Sequence, residues 1–144
     1  MARVRVPLPD RFDYATELQI RISDLNYGAH LGNDAVLSLV HEARVRFFRW
    51  LGFQELNING VGILIADAAI EYRAEGFYGE WLVASLAVQE IGRKGCDLVY
   101  RLVKRDTETE VARVKTGLVF FDHNAKKVVR IPPVFLERLG RSEE

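Results

Sequence analysis

The stretch SDLNYGAHLGNDAVLSLVHEARVRFFRWLG, residues 23–52, decides how we interpret the rest of the chain. A polar, glycine-containing segment opens it, and a sequence with apolar residues at every third or fourth position follows. That spacing is typical of a helix that buries one stripe against a core. We expect one long helix over residues 34–51, with the buried stripe Val36, Leu39, Val40, Ala43, Phe47, Trp50 and Leu51.

Both ends of this predicted helix carry recognisable signals. Asn33 is a good N-cap residue, and Asp34 puts a carboxylate in the first turn, where the helix dipole favours negative charge. Gly52 occupies the position after the helix where a glycine often ends the last turn. Four basic side chains fall outside the apolar stripe: His41, Arg44, Arg46 and Arg49.

Most of the remaining chain has the pattern of β-strands. Residues 14–22 alternate polar and apolar side chains, which indicates a strand with one buried face. Further strands are predicted at 62–73, 80–91, 96–104, 110–121 and 128–131, and a short helical segment at 134–139. The connections between the long strands are too short for parallel crossovers, so neighbours must be antiparallel. The sequence therefore predicts an α+β fold in which a five- to six-stranded antiparallel sheet wraps around one long helix.

Composition narrows the class of protein. The 144 residues fit one domain, residues 1–144, and 49% are hydrophobic, enough for a substantial core. Twenty Lys and Arg balance 20 Asp and Glu, so no nucleic-acid partner is indicated. The single Cys96, the lack of a secretory signal and the lack of a bilayer-length apolar run predict a cytoplasmic protein without a membrane partner. Three scattered histidines and one cysteine make no metal set, and no cofactor is expected.

Residues 24–44 resemble the hot-dog fold thioesterases, particularly the 4-hydroxybenzoyl-CoA thioesterase-like group and the acyl-carrier-protein (ACP) thioesterases. Those families carry a motif close to D-x-D-x-x-G-H-x-N-N before their long helix, and a Glu-Ala-Arg segment within it. The corresponding residues here are Asp24, Asn26, His30 and Asn33, then 42–44. The resemblance extends from about 21 to 133 and implies the hot-dog fold and hydrolysis of an acyl thioester.

The motif is not reproduced at every position. Its second Asp often acts as the catalytic carboxylate in these families, and here that position is Asn26. The Gly before His is Ala29, with Gly28 one place earlier, and the first Asn of the final pair is Gly32. The resemblance therefore does not supply a catalytic base.

Thioester hydrolysis needs donors for the developing oxyanion and a group that activates water. Because a helix N-terminus offers free N–H groups, we expect Gly28, Ala29 and Asn33 to help hold the thioester, although the glycines would serve a tight turn equally well. Asn26 cannot titrate, but it can orient water or donate to an oxyanion. His30 is a candidate general acid–base, or a residue that braces the loop.

Two helix carboxylates are candidates for the base. Asp34, Ser38 and Glu42 follow i, i+4 spacing and share one face of the helix. Asp34 could instead only stabilise the helix dipole, and Glu42 could instead pair with Arg46. Asp24 is expected to brace the loop.

Two further expectations concern the ligand and the assembly. Arg93 and Lys94, in a turn, could hold the phosphates of coenzyme A, although a solvated hairpin tip would look the same. The strand at 62–72 is an apolar edge candidate. The resemblance implies that it pairs across a twofold axis, giving a homodimer or a tetramer of two dimers, with residues 63–67 of one chain near the helix N-terminus of the other.

The sequence thus favours an acyl-CoA or acyl-ACP thioesterase that uses activated water. A non-catalytic acyl-thioester binding protein is the alternative, because position 26 lacks a carboxylate. A hydratase or dehydratase on the same fold is a third, less favoured, class, because we find no Asp/His pair at the spacing expected for it.

Overall fold

The computed structural model describes residues 1–143 and arranges them as one sheet around one long helix. The elements are β1 (Tyr14–Gln19), α1 (Asn33–Trp50), β2 (Gly62–Tyr72), β3 (Trp81–Gln89), β4 (Gly95–Lys104), β5 (Glu110–Asp122), β6 (Lys127–Val128) and α2 (Pro133–Leu139). The strands form a six-stranded antiparallel sheet in the order β1-β3-β4-β5-β2, with β6 paired to β5. The predicted α+β architecture is confirmed.

The core lies between the inner face of the sheet and the apolar stripe of α1. Alternate residues of β4, Leu98, Tyr100 and Leu102, are fully buried and belong to the same apolar cluster as Ala43 and Phe47 of α1. This period-two burial is the reason why the strands could be recognised in the sequence. Neither helix within residues 1–143 is long and apolar enough to cross a membrane.

The N-terminus of α1 differs from the prediction by one residue. Gly32, not Asn33, is the N-cap, since its backbone is extended (φ −69°, ψ 146°) and its carbonyl accepts the N–H of Ala35. A Cβ at position 32 would lie 2.6 Å from Oδ1 of Asp34, so a side chain there would displace that carboxylate. At the other end Gly52 has φ +91°, as its predicted role requires.

Two residues of α1 are placed differently from the expected stripe. Trp50 is 60% exposed and covers the rim of the core by packing on Tyr14 and Phe47. Arg44, expected outside the stripe, is only 7% exposed, because its guanidinium forms an ion pair with Glu55 inside the fold. The placement of both residues depends on contacts that helical spacing alone does not contain.

Three strands are at least two residues shorter than predicted, namely β1, β6 and β3, which spans Trp81–Gln89 in place of 80–91. β1 ends at Gln19 because the chain turns through a 3-10 segment, Ile22–Asp24, and Ile22 is 72% exposed. β6 has two residues, after which the backbone N–H of Ile131 donates to the carbonyl of Arg93 in a different turn.

The N-terminal arm lies against the outer face of the sheet, the face away from α1. Val6 is buried, and its N–H donates to Oε1 of Glu71 on β2 at 2.9 Å. The ion pairs of Glu71 with Arg5 and Arg73 add to this attachment. The arm therefore covers part of a sheet surface that would otherwise face solvent.

Candidate active site

The polar loop between β1 and α1 is braced by Asp24. This carboxylate is 3% exposed and accepts the backbone N–H of Arg21 at 2.7 Å and its guanidinium at 3.3 Å. The carbonyl of Asp24 accepts the N–H of Gly32 at 2.9 Å, which joins the start of the loop to the helix N-cap. Because both carboxylate oxygens are engaged, Asp24 has the bracing role that we expected.

Asn26 organises the tip of the loop. Its Oδ1 accepts the N–H groups of Gly28 (2.9 Å) and His30 (3.3 Å), and its backbone carbonyl accepts the N–H of Ala29. Ala29 is held at φ +64°, in the left-handed region, which costs roughly 1 kcal/mol for a residue with a side chain. No partner for the Nδ2 amide of Asn26 is described within residues 1–143, and the side chain is exposed, so this donor can meet a ligand.

His30 connects the loop to the turn that precedes β3. It forms a β-bridge with Phe77, and its ring packs edge-on against the Phe77 ring at 5.6 Å. Its Nδ1 lies 3.7 Å from a carboxylate oxygen of Glu75. Next to it, Leu31 donates its N–H to the carbonyl of Gly76. The half-buried imidazole thus has a bracing function, and a carboxylate lies close to it.

The N-terminus of α1 presents the strongest concentration of reactive groups. The N–H groups of Asn33 and Asp34 have no intrahelical acceptor, and none is described for them elsewhere in residues 1–143. The Asp34 carboxylate lies over the glycine N-cap, close to these donors. An electron-rich carbonyl oxygen could bind to the N–H groups while the carboxylate remains beside it.

Tyr72, at the end of β2, is a site residue that the motif did not predict as such. Its hydroxyl donates to the carbonyl of Asn33 at 3.0 Å. Partial burial raises the pKa of Tyr72, and the nearby negative charge of Asp34 raises it further. The phenol therefore remains protonated at neutral pH. Its position at the end of a strand, 39 residues after Asn33, gave no local signal of this contact.

Glu42 and Asp34 lie on different sides of the exposed face of α1. Oε2 of Glu42 accepts a hydrogen bond from Nε of Arg46 at 2.9 Å. This is the ion pair that we gave as the alternative to a catalytic role for Glu42. Arg46 also donates to Thr16 and to the carbonyl of Glu17, which fixes the pair toward β1. Glu42 and Ser38 line a groove of about 400 Å³ on that side, whereas Asp34 lies near Tyr72 and β2. Glu42 thus lies on the β1 side of the predicted row and Asp34 on the β2 side, while Ser38 between them lines grooves on both sides.

Arg93 and Lys94 are exposed and lie in the turn between β3 and β4. Their carbonyls accept the N–H groups of Ile131 and Phe120. The polar loop is at the other end of β3, where Trp81 pairs with Gln19. Within one chain, the structure therefore does not bring this turn together with the candidate catalytic groups.

A buried polar network beneath α1 was missed by sequence reasoning. Arg44 donates to Glu55 at 2.6 Å and to the Tyr100 hydroxyl at 3.3 Å, and this hydroxyl is 2.8 Å from Oγ1 of Thr116. Burial raises the pKa of Tyr100 despite the opposing effect of the guanidinium. One available signal was the position of Arg44 between Val40 and Phe48, four residues from each on the buried side. A cation there requires an internal partner.

Comparison with known proteins agrees with this architecture. The family model of the thioesterase-like superfamily matches residues 20–139, which is most of the chain. The chain belongs to the thioesterase-like superfamily. No curated protein matches the sequence. The resemblance to hot-dog thioesterases that the motif suggested is thereby confirmed at the level of the superfamily.

Solved structures similar to this thioesterase-like chain share its fold at low identity. A 1,4-dihydroxy-2-naphthoyl-CoA thioesterase from Synechocystis has a TM-score of 0.81 at 17% identity, covering 88% of this chain and 95% of that one. A hypothetical protein from Aquifex aeolicus has a TM-score of 0.79 at 23% identity, covering 88% and 98%. A DHNA-CoA thioesterase from Staphylococcus aureus has a TM-score of 0.79 at 18% identity, covering 88% and 87%. The hot-dog fold is therefore shown.

Proposed function

We propose that this protein hydrolyses the thioester of an acyl-CoA or an acyl-ACP, with water as the nucleophile. One observation carries the proposal: the Asp34 carboxylate lies beside unpaired N–H groups at the N-terminus of α1. This is the combination that ester hydrolysis requires, a base next to donors that stabilise an oxyanion.

The reaction would proceed by general-base catalysis. The thioester carbonyl oxygen accepts from the N–H groups of Asn33 and Asp34 and from Nδ2 of Asn26, aided by the backbone turn at Gly28 and Ala29. Asp34 takes a proton from water as the water oxygen bonds to the acyl carbon. The tetrahedral intermediate then expels the thiolate, which takes up a proton. His30 is the candidate donor for that step.

Asp34 is a better candidate for the base than Glu42. The Glu42 carboxylate is already engaged by Arg46 and points toward β1. To take a proton from water, this carboxylate would first have to release the guanidinium that it holds. The ion pair with Arg46, our alternative to a catalytic role for Glu42, therefore has direct support. Stabilisation of the helix dipole by Asp34, the alternative for that residue, does not exclude catalysis.

We further propose that the catalytic unit is a homodimer joined through β2, alone or within a tetramer. Leu64 and Ile65 are each 41% exposed on this edge strand. Antiparallel pairing of two β2 strands would set the Gly62 end of one chain beside the Tyr72 end of the other. Since Ile63 pairs with Phe120, which bonds to Lys94, this arrangement would carry the Arg93–Lys94 turn toward the other chain's polar loop. There it could bind CoA phosphates.

A non-catalytic acyl-thioester binding protein is the second candidate. The observation that favours it is Asn26, because its Oδ1 is used inside the loop and no carboxylate is present at that position. Such a protein would retain the N–H donors but not activate water.

The deciding experiment measures thiol release from a panel of aliphatic and aromatic acyl-CoAs and acyl-ACPs. We expect turnover of at least one class, and a loss of at least about a hundredfold in kcat for Asp34→Asn. Glu42→Gln is the matched control, an equivalent substitution on the same helix, and should stay within about threefold because Glu42 is not the base. If no substrate is cleaved above background while a CoA ester binds in calorimetry, the binding protein is the correct description.

A further inference from the structure

A groove of about 310 Å³ lies between α1 and the inner face of β2 and β5. Its walls are apolar and come from Leu37 on α1 and from Ile65 and Ala68 on β2. Leu37 is 40% exposed, so the groove is open to a ligand. Because Leu37 is one turn from Asp34, an acyl group bound with its carbonyl at the helix N-terminus can extend into this groove.

The far end of the groove is polar. Arg44, His41 and Thr116 line it together with the apolar residues. The Nε and Nη1 groups of Arg44 bond to Glu55 and Tyr100, and no partner of Nη2 is described within residues 1–143. Yet no fully buried side-chain nitrogen or oxygen among the described residues lacks a partner. The Nη2 group therefore keeps some accessible surface, although Arg44 as a whole is only 7% exposed, and Arg44 is one of the residues that line the groove.

The charge of this polar end is already compensated. Glu55 accepts from Arg44 at 2.6 Å with one oxygen and lies 2.9 Å from Nε2 of His41 with the other. A ligand carboxylate would bring a second negative charge next to Glu55, whose side chain is only 17% exposed, and like charges at short range repel each other. A hydroxyl or carbonyl oxygen can accept from Nη2 without adding charge.

The distance along α1 limits the length of the ligand. Arg44 is ten residues after Asp34, about 15 Å along the axis, and helical side chains point back toward the N-terminus by about one turn. The guanidinium is thus roughly 10 Å from the level of the thioester. An extended chain advances about 1.2 Å per bond, and the hydrogen bond to the guanidinium spans about 3 Å, so roughly six to eight carbons cover this distance.

We infer that the acyl group of the substrate is of medium length and carries an uncharged oxygen at its distal end, which Arg44 binds. The inference deepens the proposed function, on which it relies for the position of the thioester. It distinguishes a hydroxyacyl or oxoacyl substrate both from a plain hydrocarbon chain and from a dicarboxylic one.

The test uses CoA thioethers, which cannot be hydrolysed and therefore report binding alone. Calorimetry would compare S-hexyl-CoA, S-(6-hydroxyhexyl)-CoA and S-(5-carboxypentyl)-CoA. We expect the hydroxyl compound to bind about tenfold more tightly than the hexyl compound, as for a hydrogen bond from a charged donor. The carboxylate compound should bind no more tightly than the hexyl compound. Equal affinities for the hydroxyl and hexyl compounds, tightest binding of the carboxylate, or binding of none of the three would each overturn the inference.

Variants of Arg44 test its role directly. In Arg44→Met the hydroxyl preference should disappear, while the affinity for S-hexyl-CoA stays within about threefold. Since Glu55 and Tyr100 lose a partner in that variant and folding could fail, Arg44→Lys provides a second test. Lysine keeps the positive charge but lacks the second nitrogen of the fork, so the preference should fall at least about threefold. An unchanged preference in either folded variant contradicts the assignment to Arg44.

The same compounds separate this inference from the proposed hydrolysis. Turnover of hexanoyl-CoA and 6-hydroxyhexanoyl-CoA with equal kcat/KM, together with equal thioether binding, would leave a hydrolase and refute the role of Arg44. Preferential binding of the hydroxyl thioether without turnover of either ester would leave the inference intact and refute the hydrolase.

Discussion

The Tyr72 hydroxyl and the Asp34 carboxylate both lie at the first turn of α1. Tyr72 donates to the carbonyl of Asn33, one residue before Asp34. Burial and the Asp34 charge raise its pKa, which keeps the hydroxyl protonated across the range in which a carboxylate base is ionised. The hydrogen bond from Tyr72 to Asn33 holds the end of β2 against the helix terminus that carries the proposed base.

Replacing this hydroxyl should affect turnover more than substrate binding. In Tyr72→Phe we expect kcat to fall about tenfold and KM to change by less than about threefold, because the substitution removes one hydrogen bond beside the reacting groups. Steady-state kinetics measures both. The control is Tyr78→Phe, since Tyr78 is 65% exposed in the turn before β3. If the two variants have the same kcat, Tyr72 has no role in positioning the site.

Single residues also show which parts of the site the sequence could indicate. The spacing from Asp24 to Asn33 identified the loop, because capping and turn residues act on close neighbours in the chain. The buried state of Arg44 could not be derived in the same way, since its partners Glu55 and Tyr100 are 11 and 56 residues away. Only the folded chain brings those groups together.

At the scale of elements, the N-terminal arm is attached to the sheet through a titratable group. Glu71 of β2 accepts the backbone N–H of Val6, and this hydrogen bond is the largest cause of its lowered pKa, with Arg73 next. A carboxyl whose pKa is lower in the folded state adds stability that is present above its ordinary pKa. That stability is lost as the pH falls through the lowered value.

The attachment of the arm should therefore respond to acid in a defined direction. We expect the Val6 amide, followed by NMR, to keep its position from pH 7 to about 5 and to shift with a midpoint below 4.5, the ordinary pKa of a glutamate. Glu71→Gln keeps a hydrogen-bond acceptor but cannot titrate, so the shift should disappear. Asp122→Asn, at the far end of β5, should leave the Val6 titration unchanged. A Val6 midpoint above 4.5 in the wild-type protein would contradict this assignment.

The elements themselves were largely predictable, and their errors have physical causes. The long strands follow from period-two burial and from turns too short for crossovers, as in β3 and β4. β1 ends early because Asp24 binds back to Arg21 and turns the chain. The alternation of polar and apolar side chains continues past Gln19 in the sequence. It therefore does not indicate that the Asp24–Arg21 hydrogen bond turns the chain and ends the strand.

For the whole molecule, the exposed edge strand β2 is the feature that favours association with a second chain. Residues 64–68 of this strand are exposed, and an unpaired apolar edge tends to associate. The candidate groups for CoA phosphates lie at the other end of the sheet from the polar loop. A second copy paired through β2 would reconcile these two facts. A single sequence could suggest such a pairing only by resemblance, because its geometry involves another chain.

Charge on this edge should disrupt the proposed dimer. Sedimentation equilibrium of the wild-type protein should give at least twice the 16.4 kDa of one chain. Leu64→Lys should shift the mass toward a single chain, because lysine on an edge strand opposes edge-to-edge pairing. Leu56→Lys, at a leucine in the loop before β2 that is 71% exposed against 41% for Leu64, is the control and should retain the wild-type mass. A monomeric wild-type protein would remove the basis for a site shared by two chains.

The most direct test of the central claim is a single-turnover hydrolysis in ¹⁸O-labelled water, with enzyme in excess over the best acyl-CoA of the panel. If water activated by Asp34 attacks the thioester, the acid released in the first turnover carries one ¹⁸O atom, and Asp34→Asn slows its formation at least about a hundredfold. Unlabelled acid in the first turnover would mean that a protein carboxylate attacks the acyl carbon. That result, or labelled acid formed at an unchanged rate by Asp34→Asn, would contradict the mechanism proposed here.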